Sequence, residues 1–401
     1  MDAQAGKPEN ASVAPAVAAG VLAAFVGFAS SFAVVLQGFL AMGATPAQAA
    51  SGLMAVSVAM GLCAIVLALR HRMPISVAWS TPGAALLASS AMPATGFAGA
   101  VGAFLACGAL IVLAGAWKPL GRWVSAIPVS LASAMLAGVL LGLCLAPVRA
   151  VVQLPALALP IVLAWAAMLR ISRLHAMPVA VAVAAVLVAA TTELPAGFAG
   201  TLAPAPVATM PAFDAAALVG IALPLFVVTM ASQNIPGMAV LAVNGYRPDP
   251  GPLLRMTGIF SMLAAPFGSH AVNLAAITAA ICAGPDAHPD PARRWIAACV
   301  AGAGYVVLGL LAGAAAAVVS ASPPVLIEAV AGLALLGSFA SALSAALAQP
   351  AEREAAAVTF LVAASGVTLL GVSGAFWGLL AGGAMLALAS WRRGSRSPEN
   401  K

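Results

Sequence analysis

Between Asn10 and Leu69, and again between Met73 and Trp117, the chain carries no Lys, Arg, Asp or Glu. Each stretch is long enough for two membrane-spanning helices of about 20 residues. The rest of the chain is of the same kind. Of its 401 residues 63% are hydrophobic and 7% charged, against about 25% charge in a soluble globular chain. A water-facing surface cannot be built from so few charges, which excludes a soluble enzyme, a nucleic-acid binder and a disordered chain. The net charge of +6 does not point to nucleic acid, because the basic residues sit in short loops and not in one patch.

Prolines, glycines and charges divide the chain into fourteen apolar spans: 15–37, 47–69, 74–92, 97–117, 124–146, 151–169, 174–193, 216–241, 251–266, 267–284, 295–319, 324–347, 355–372 and 374–391. Cytoplasmic loops of membrane proteins carry an excess of Lys and Arg. With fourteen crossings and the N-terminus inside, 16 of the 17 basic residues fall inside and only Arg149 outside. If the weak third and tenth spans did not cross, the split would fall to 11 against 6. Fourteen crossings are therefore expected, with both termini cytoplasmic: tails at 1–14 and 392–401, repeats at 15–193 and 215–391, and a Pro-rich outer connection at 194–214. The N-terminus has Asp2 and Glu9 against Lys7, so the first apolar run is expected to stay as a span and not to be a cleaved signal.

Seven is odd, so two halves of seven spans are inverted relative to each other, a common transporter architecture. The interrupted spans, three and ten, hold the same place in each half, and such a pair points to a midplane binding site. Span three runs Ile75-Ser76-Val77-Ala78-Trp79-Ser80-Thr81-Pro82-Gly83. It reads as a short strand that turns into a half-helix, with Ser80 or Thr81 as cap and Pro82 in the first turn. Span ten, from Phe267-Gly268-Ser269-His270 to Thr278, reads the same way with Ser269 or Asn273 as cap. Two helix N-termini facing one site would favour an anion, above all a carboxylate. The bland alternative is a pair of kinked helices packed for stability.

Polar side chains at depth complete the candidate site. Gln233 and Asn234 lie near the middle of span eight, just before Pro236, and Gln37 lies in span one nearer the interface. His270 is the one histidine placed at depth; His71, His175 and His288 fall in loops and are expected to be solvated. Glu328 is the carboxylate well inside a span. Intramembrane titratable groups are rare and often belong to proton paths, so His270 and Glu328 are the coupling candidates; a neutral packed His270 and a water-facing Glu328 are the alternatives. Cys63, Cys107, Cys144, Cys282 and Cys299 lie within or at the edges of apolar runs without a CxxC pair, as packing residues. No phosphate loop, catalytic triad or metal-ligand cluster is present, so neither an enzyme nor a cofactor is expected. Gly309-x-x-x-Gly313 and Gly378-x-x-x-Gly382 permit close helix contacts, compatible with a homodimer without demanding one.

Met230-Ala231-Ser232-Gln233-Asn234-Ile235-Pro236-Gly237-Met238, Asn244-Gly245-Tyr246, Trp79-Ser80-Thr81-Pro82-Gly83, the His270-to-Cys282 stretch and Phe376-Trp377-Gly378-Leu379 resemble the benzoate:proton symporter (BenE) family over essentially the whole chain. The resemblance implies an inner-membrane secondary transporter that takes up benzoate with a proton. That family is distantly similar to the uracil and nucleobase transporters. The similarity implies a core domain of spans 1–4 and 8–11 and a gate domain of spans 5–7 and 12–14. It also implies that Gln233 and Ser269 stand where those carriers hold acidic residues, a loss of charge that suits an anionic substrate. The carboxylate would then meet Ser80, Thr81, Ser269, Asn273 and Gln233, with Trp79 and Phe267 as walls for the ring. A nucleobase or inorganic-anion carrier on the same fold and a channel remain as competing readings. Six or seven polar residues at depth are few for lining a channel.

Overall fold

The computed structural model describes residues 12–117, 119, 127–191, 203–369 and 372–394. Lys7, Lys118, Arg122, Arg396, Lys401 and part of the 194–214 connection lie outside them.

Most expected spans are helices, and several are interrupted. The first is α1 (Ala14–Ala29) and α2 (Phe32–Ala41), broken at Ser30–Ser31. Both serine hydroxyls donate to the Gly27 carbonyl, at 3.2 and 3.4 Å. They draw that carbonyl out of the helical ladder, as serines in apolar helices do. The second is α3 (Pro46–His71), begun by a reciprocal Thr45–Gln48 capping box. The third is the strand β1 (Val77–Trp79) followed by the nine-residue α4 (Thr81–Ser89). Then come α5 (Phe97–Ala116), α6 (Val129–Cys144), the short α7 (Ala146–Gln153), α8 (Pro155–Ile171) and α9 (Ala176–Thr191).

The second half opens with α10 (Ala215–Val243), a continuous helix holding two π-helical segments, Leu218–Ala222 and Met230–Asn234. It continues with α11 (Pro250–Ala264), the strand β2 (Val272–Leu274) and the seven-residue α12 (Ile277–Ala283). The eleventh span is α13 (Trp295–Leu310) and α14 (Ala312–Ala321), and α15 (Pro324–Ala346) is the twelfth. Expected to run to 372, span thirteen ends as α16 (Arg353–Ala364). Gly366 takes φ +66°, and the chain turns into the two-residue strands β3 (Thr368–Leu369) and β4 (Val372–Ser373) before α17 (Gly374–Gly394).

Among the described residues seven helical segments are long and apolar enough to cross a bilayer alone, and three shorter apolar helices accompany them. Their outward faces carry Val21, Phe25, Leu62, Leu163 and Val307, all exposed, a surface suited to lipid. The molecule is thus a helical polytopic membrane protein.

Packing sorts the elements into two groups. One gathers α1–α5 and α10–α14, with α3 and α1 against α13 and α5 against α11; the other gathers α6–α9 and α15–α17 around α6 and α15. Lipid tails are as apolar as leucine, so close van der Waals packing holds such helices together. Glycines set the approach. A Cβ placed on Gly302 of α13 would lie 2.6 Å from the Gly61 carbonyl oxygen of α3, and one on Gly258 of α11 2.8 Å from that of Gly108 in α5. Gly302→Val and Gly258→Val are each expected to cost about 1–3 kcal/mol by overpacking. The drop should appear as a lower aggregation temperature in detergent by size-exclusion chromatography. Gly337→Ala, at a position with nothing within 4 Å, should not show it.

Candidate functional site

The centre of the fold is extended backbone. β1 and β2 pair antiparallel, with Val77 opposite Leu274, Ala78 opposite Asn273 and Trp79 opposite Val272. Ser80 N–H donates to the Ala271 carbonyl at 3.1 Å and Ala275 N–H to that of Ser76 at 3.0 Å, closing the ladder at both ends. The outer edge of β2 is satisfied by side chains. Leu274 N–H donates to Asn234 Oδ1 at 2.9 Å, and Val272 N–H donates to Ser261 Oγ at 2.8 Å. Backbone polar groups away from water must be paired, and α10 and α11 supply the partners here.

Each strand leads into a short helix, and the antiparallel pairing sets the two helix starts at opposite ends of the ladder, so they do not meet at one point as the sequence suggests. The start of α4 is sealed. Ser80 Oγ accepts Gly83 N–H at 3.1 Å and the Thr229 hydroxyl at 2.9 Å. The Thr81 hydroxyl donates to Ser31 Oγ at 3.2 Å, and Trp79 Nε1 donates to the same oxygen at 2.8 Å. α12 starts differently. Its N-cap is Ala276, without a side-chain cap, and Ile277 is 70% exposed. Thr278 in its first turn shares a 2.7 Å hydrogen bond with Ser76 Oγ, tying α12 to the residue before β1.

The expected site residues separate into three sets. Gln233 lies in the second π segment of α10, half-buried and without a hydrogen bond among the described residues. π segments cluster at functional sites, and this one carries an uncommitted amide beside the strand pair. Ser80, Thr81, Trp79 and Asn234 are gathered there as well, but their polar atoms serve the protein. Asn234 holds the β2 edge, and Trp79 packs against Phe28 with ring centroids 5.5 Å apart, in line with the Phe28–Phe32 stack.

The third set departs from expectation. Neither Ser269 nor Asn273 caps α12, because β2 and two further residues intervene. The Ser269 hydroxyl donates to the His270 carbonyl. Asn273 Nδ2 donates to the Leu274 carbonyl at 3.3 Å, and its Oδ1 is buried without a partner. His270 precedes β2, fully buried, with its ring 5.5 Å from that of Phe39 and both nitrogens unpartnered; it does not lie beside the start of α12. Phe267 is 38% exposed in the turn before Gly268, so it is no wall of this site. Gln37 is half-buried on α2. Glu328 is half-buried in the first turns of α15, without an ion pair among the described residues. His288, expected in solvent, is buried where Arg294 donates to its carbonyl and to that of Ala283, at 2.7 and 2.9 Å.

Sequence reasoning missed Ser31, Thr229, Ser261 and the Ser76–Thr278 pair. Their signal is a hydroxyl inside an apolar run, too common by itself to single them out.

Two cavities reach the second π segment. One, of about 840 Å³, is lined by Met230, Asn234, Ile235 and Met238 of α10, the end of α5 and the start of α11 through Arg255. The other, of about 320 Å³, is a crevice between α6 and α10 that includes Ser133, Ala231, Ile235 and Pro236.

The profile of the benzoate membrane transport protein family (BenE) matches residues 10–388. The chain belongs to this family. Its members are membrane transporters and not enzymes. The chain is 42% identical over 369 residues to Inner membrane protein YdcO of Escherichia coli, covering 92% of this chain and 94% of that one. It is 32% identical over 375 residues to the Benzoate membrane transport protein of Acinetobacter baylyi, covering 92% and 93%. Among solved structures, the transmembrane domain of the cyanobacterial bicarbonate transporter BicA matches with a TM-score of 0.59 at 16% identity, over 94% of this chain and 97% of that one. Murine Solute Carrier 26 family member A9, an anion transporter in the inward-facing state, matches at 0.59 and 15%, over 95% and 68%. The BenE chain thus shares its fold with anion carriers that differ widely from it in sequence.

Removing either support of β2 should destabilise the protein. Asn234→Ala and Ser261→Ala each leave a buried strand N–H unpaired, at a cost of about 1–3 kcal/mol. Thermal denaturation in detergent should show the loss for both variants.

Proposed function

We propose that this BenE-family chain is a secondary transporter of the bacterial inner membrane that imports benzoate or a similar aromatic carboxylate together with a proton. The observation that carries the reading is Gln233. It is an uncommitted polar side chain on a π segment whose neighbouring residue Asn234 holds the β2 edge, and cavities with apolar walls reach other residues of that segment. The carboxylate would take hydrogen bonds from the Gln233 amide and from the exposed start of α12, whose dipole favours negative charge. Met230, Ile235 and the aromatic layer of Phe28, Phe32 and Trp79 offer apolar surface to a ring. The relative named for benzoate transport supports the substrate class.

In this reading the chain crosses the bilayer fourteen times as two inverted repeats, with both termini cytoplasmic. The group of α1–α5 and α10–α14 is a core that moves against a gate of α6–α9 and α15–α17. The proton falls to Glu328 in preference to His270. Glu328 is half-buried in the first turns of α15, so it is not sealed inside the protein. A charge on the fully buried His270 would lie against Phe39 without an ion-pair partner among the described residues, and burying an unpaired charge is costly. A second reading, an inorganic-anion or nucleobase carrier, follows from the fold alone.

Uptake of labelled benzoate into proteoliposomes tests the proposal. Uptake should rise as the outer pH falls, exceed equilibrium under an inward proton gradient and collapse with a protonophore. Gln233→Ala should lower uptake about tenfold, the scale of a lost hydrogen bond to a charged group, about 1.5–3 kcal/mol. Unchanged uptake in that variant would remove Gln233 from the site. Glu328→Gln should abolish proton-driven accumulation while sparing benzoate exchange. Displacement of benzoate by uracil or sulfate would favour the second reading.

A further inference from the structure

The 840 Å³ cavity is lined by Met230, Ile235, Met238 and Leu254, with Asn234 at its deep end and Arg255 among its lining residues. Arg255 is exposed and makes no ion pair among the described residues. The acidic residue of the same cavity, Asp249, already serves as the cap of α11, its Oδ1 accepting Gly251 N–H at 3.1 Å. An apolar chamber with one uncommitted guanidinium is complementary to a small amphiphilic anion. Arginine meets a carboxylate with two parallel N–H donors, and thioether and aliphatic side chains accept a ring without demanding one orientation.

The chamber adjoins the proposed substrate site. Met230 and Asn234 bound the π segment that carries Gln233, and Ile235 lines both this chamber and the crevice against α6. Arg255 stands in the first turns of α11, at the end of that helix that the distribution of Lys and Arg assigns to the cytoplasm.

We infer that the chamber is a second, inner binding station for the transported aromatic carboxylate, with Arg255 as its carboxylate ligand and Met230, Met238 and Leu254 as its ring wall. This rests on the benzoate-import reading. A carboxylate leaving Gln233 meets Arg255 before it reaches bulk water. Benzoate approaching from the cytoplasm is held there first, so the station sets the affinity at the inner face.

The test compares right-side-out with everted membrane vesicles, which present the outer and the inner face to labelled benzoate. Arg255→Gln should raise the inner-face KM about five- to tenfold and leave the outer-face KM unchanged. The inner-face Vmax should rise with its KM, because removing ground-state binding leaves Vmax/KM in place. Arg255→Lys should recover part of the affinity. An unchanged inner-face KM would overturn the inference, as would an equal rise at both faces. An effect that vanishes in vesicles of phosphatidylcholine alone would overturn it too, assigning Arg255 to anionic lipid headgroups. Failure of the wild-type protein to move benzoate in either direction would instead remove the import reading itself.

Discussion

Extended backbone in the middle of an apolar protein is tolerable only if every N–H and C=O finds a partner, and the arrangement of this molecule follows from meeting that demand. β1 and β2 satisfy each other along one edge. Asn234 from α10 and Ser261 from α11 satisfy the other edge of β2. Two strands from opposite halves of the chain are thereby tied to each other and to α10 and α11. Because each strand leads into a helix, the same antiparallel pairing sets the starts of α4 and α12 at its two ends. The polar chemistry of the site is therefore largely by-product and support: most hydroxyls and amides gathered there hold backbone, and Gln233 is left over.

The two helix starts are not equivalent. Around α4, the hydroxyls of Ser80, Thr81, Thr229 and Ser31 bond one another and the first turn. At α12 the residues after β2 are Ala275 and Ala276, which offer nothing to cap a helix, and Ile277 is exposed. The sealed start is a wall; the open one has donors to spare for a ligand. α12 is short, so its dipole adds to the Gln233 amide and does not replace it.

How much of this was legible in the sequence depended on whether the signal was local. The charge-free runs and basic loops gave the class of protein. Ser80-Thr81-Pro82-Gly83 placed the start of α4 to within a residue, with Ser80 or Thr81 as cap, because cap, proline and helix follow one another directly. The start of α12 was placed too early, at Ser269 or Asn273. Capping residues draw the eye, yet here they sit in the turn and the strand, and tertiary pairing with β1 sets where the helix begins. The break at Ser30–Ser31 and the early end of α16 at Gly366 had local signals that an apolar count passes over. The π segments had none apart from Pro236, because one extra residue in a turn leaves composition and periodicity nearly unchanged. His270 and Phe267 were selected by residue type alone, and burial separates them: one is sealed beside Phe39, the other faces outward.

The central claim, that an aromatic carboxylate sits against the open start of α12 beside Gln233, can be tested at Ile277. In a Cys299→Ser background, Ile277→Cys places a thiol on this exposed position. Its rate of reaction with a water-soluble maleimide is then measured with and without ligand. Benzoate should slow the labelling several-fold, while uracil and benzyl alcohol should leave it unchanged. Labelling that ignores benzoate, or that uracil slows equally, would contradict the account.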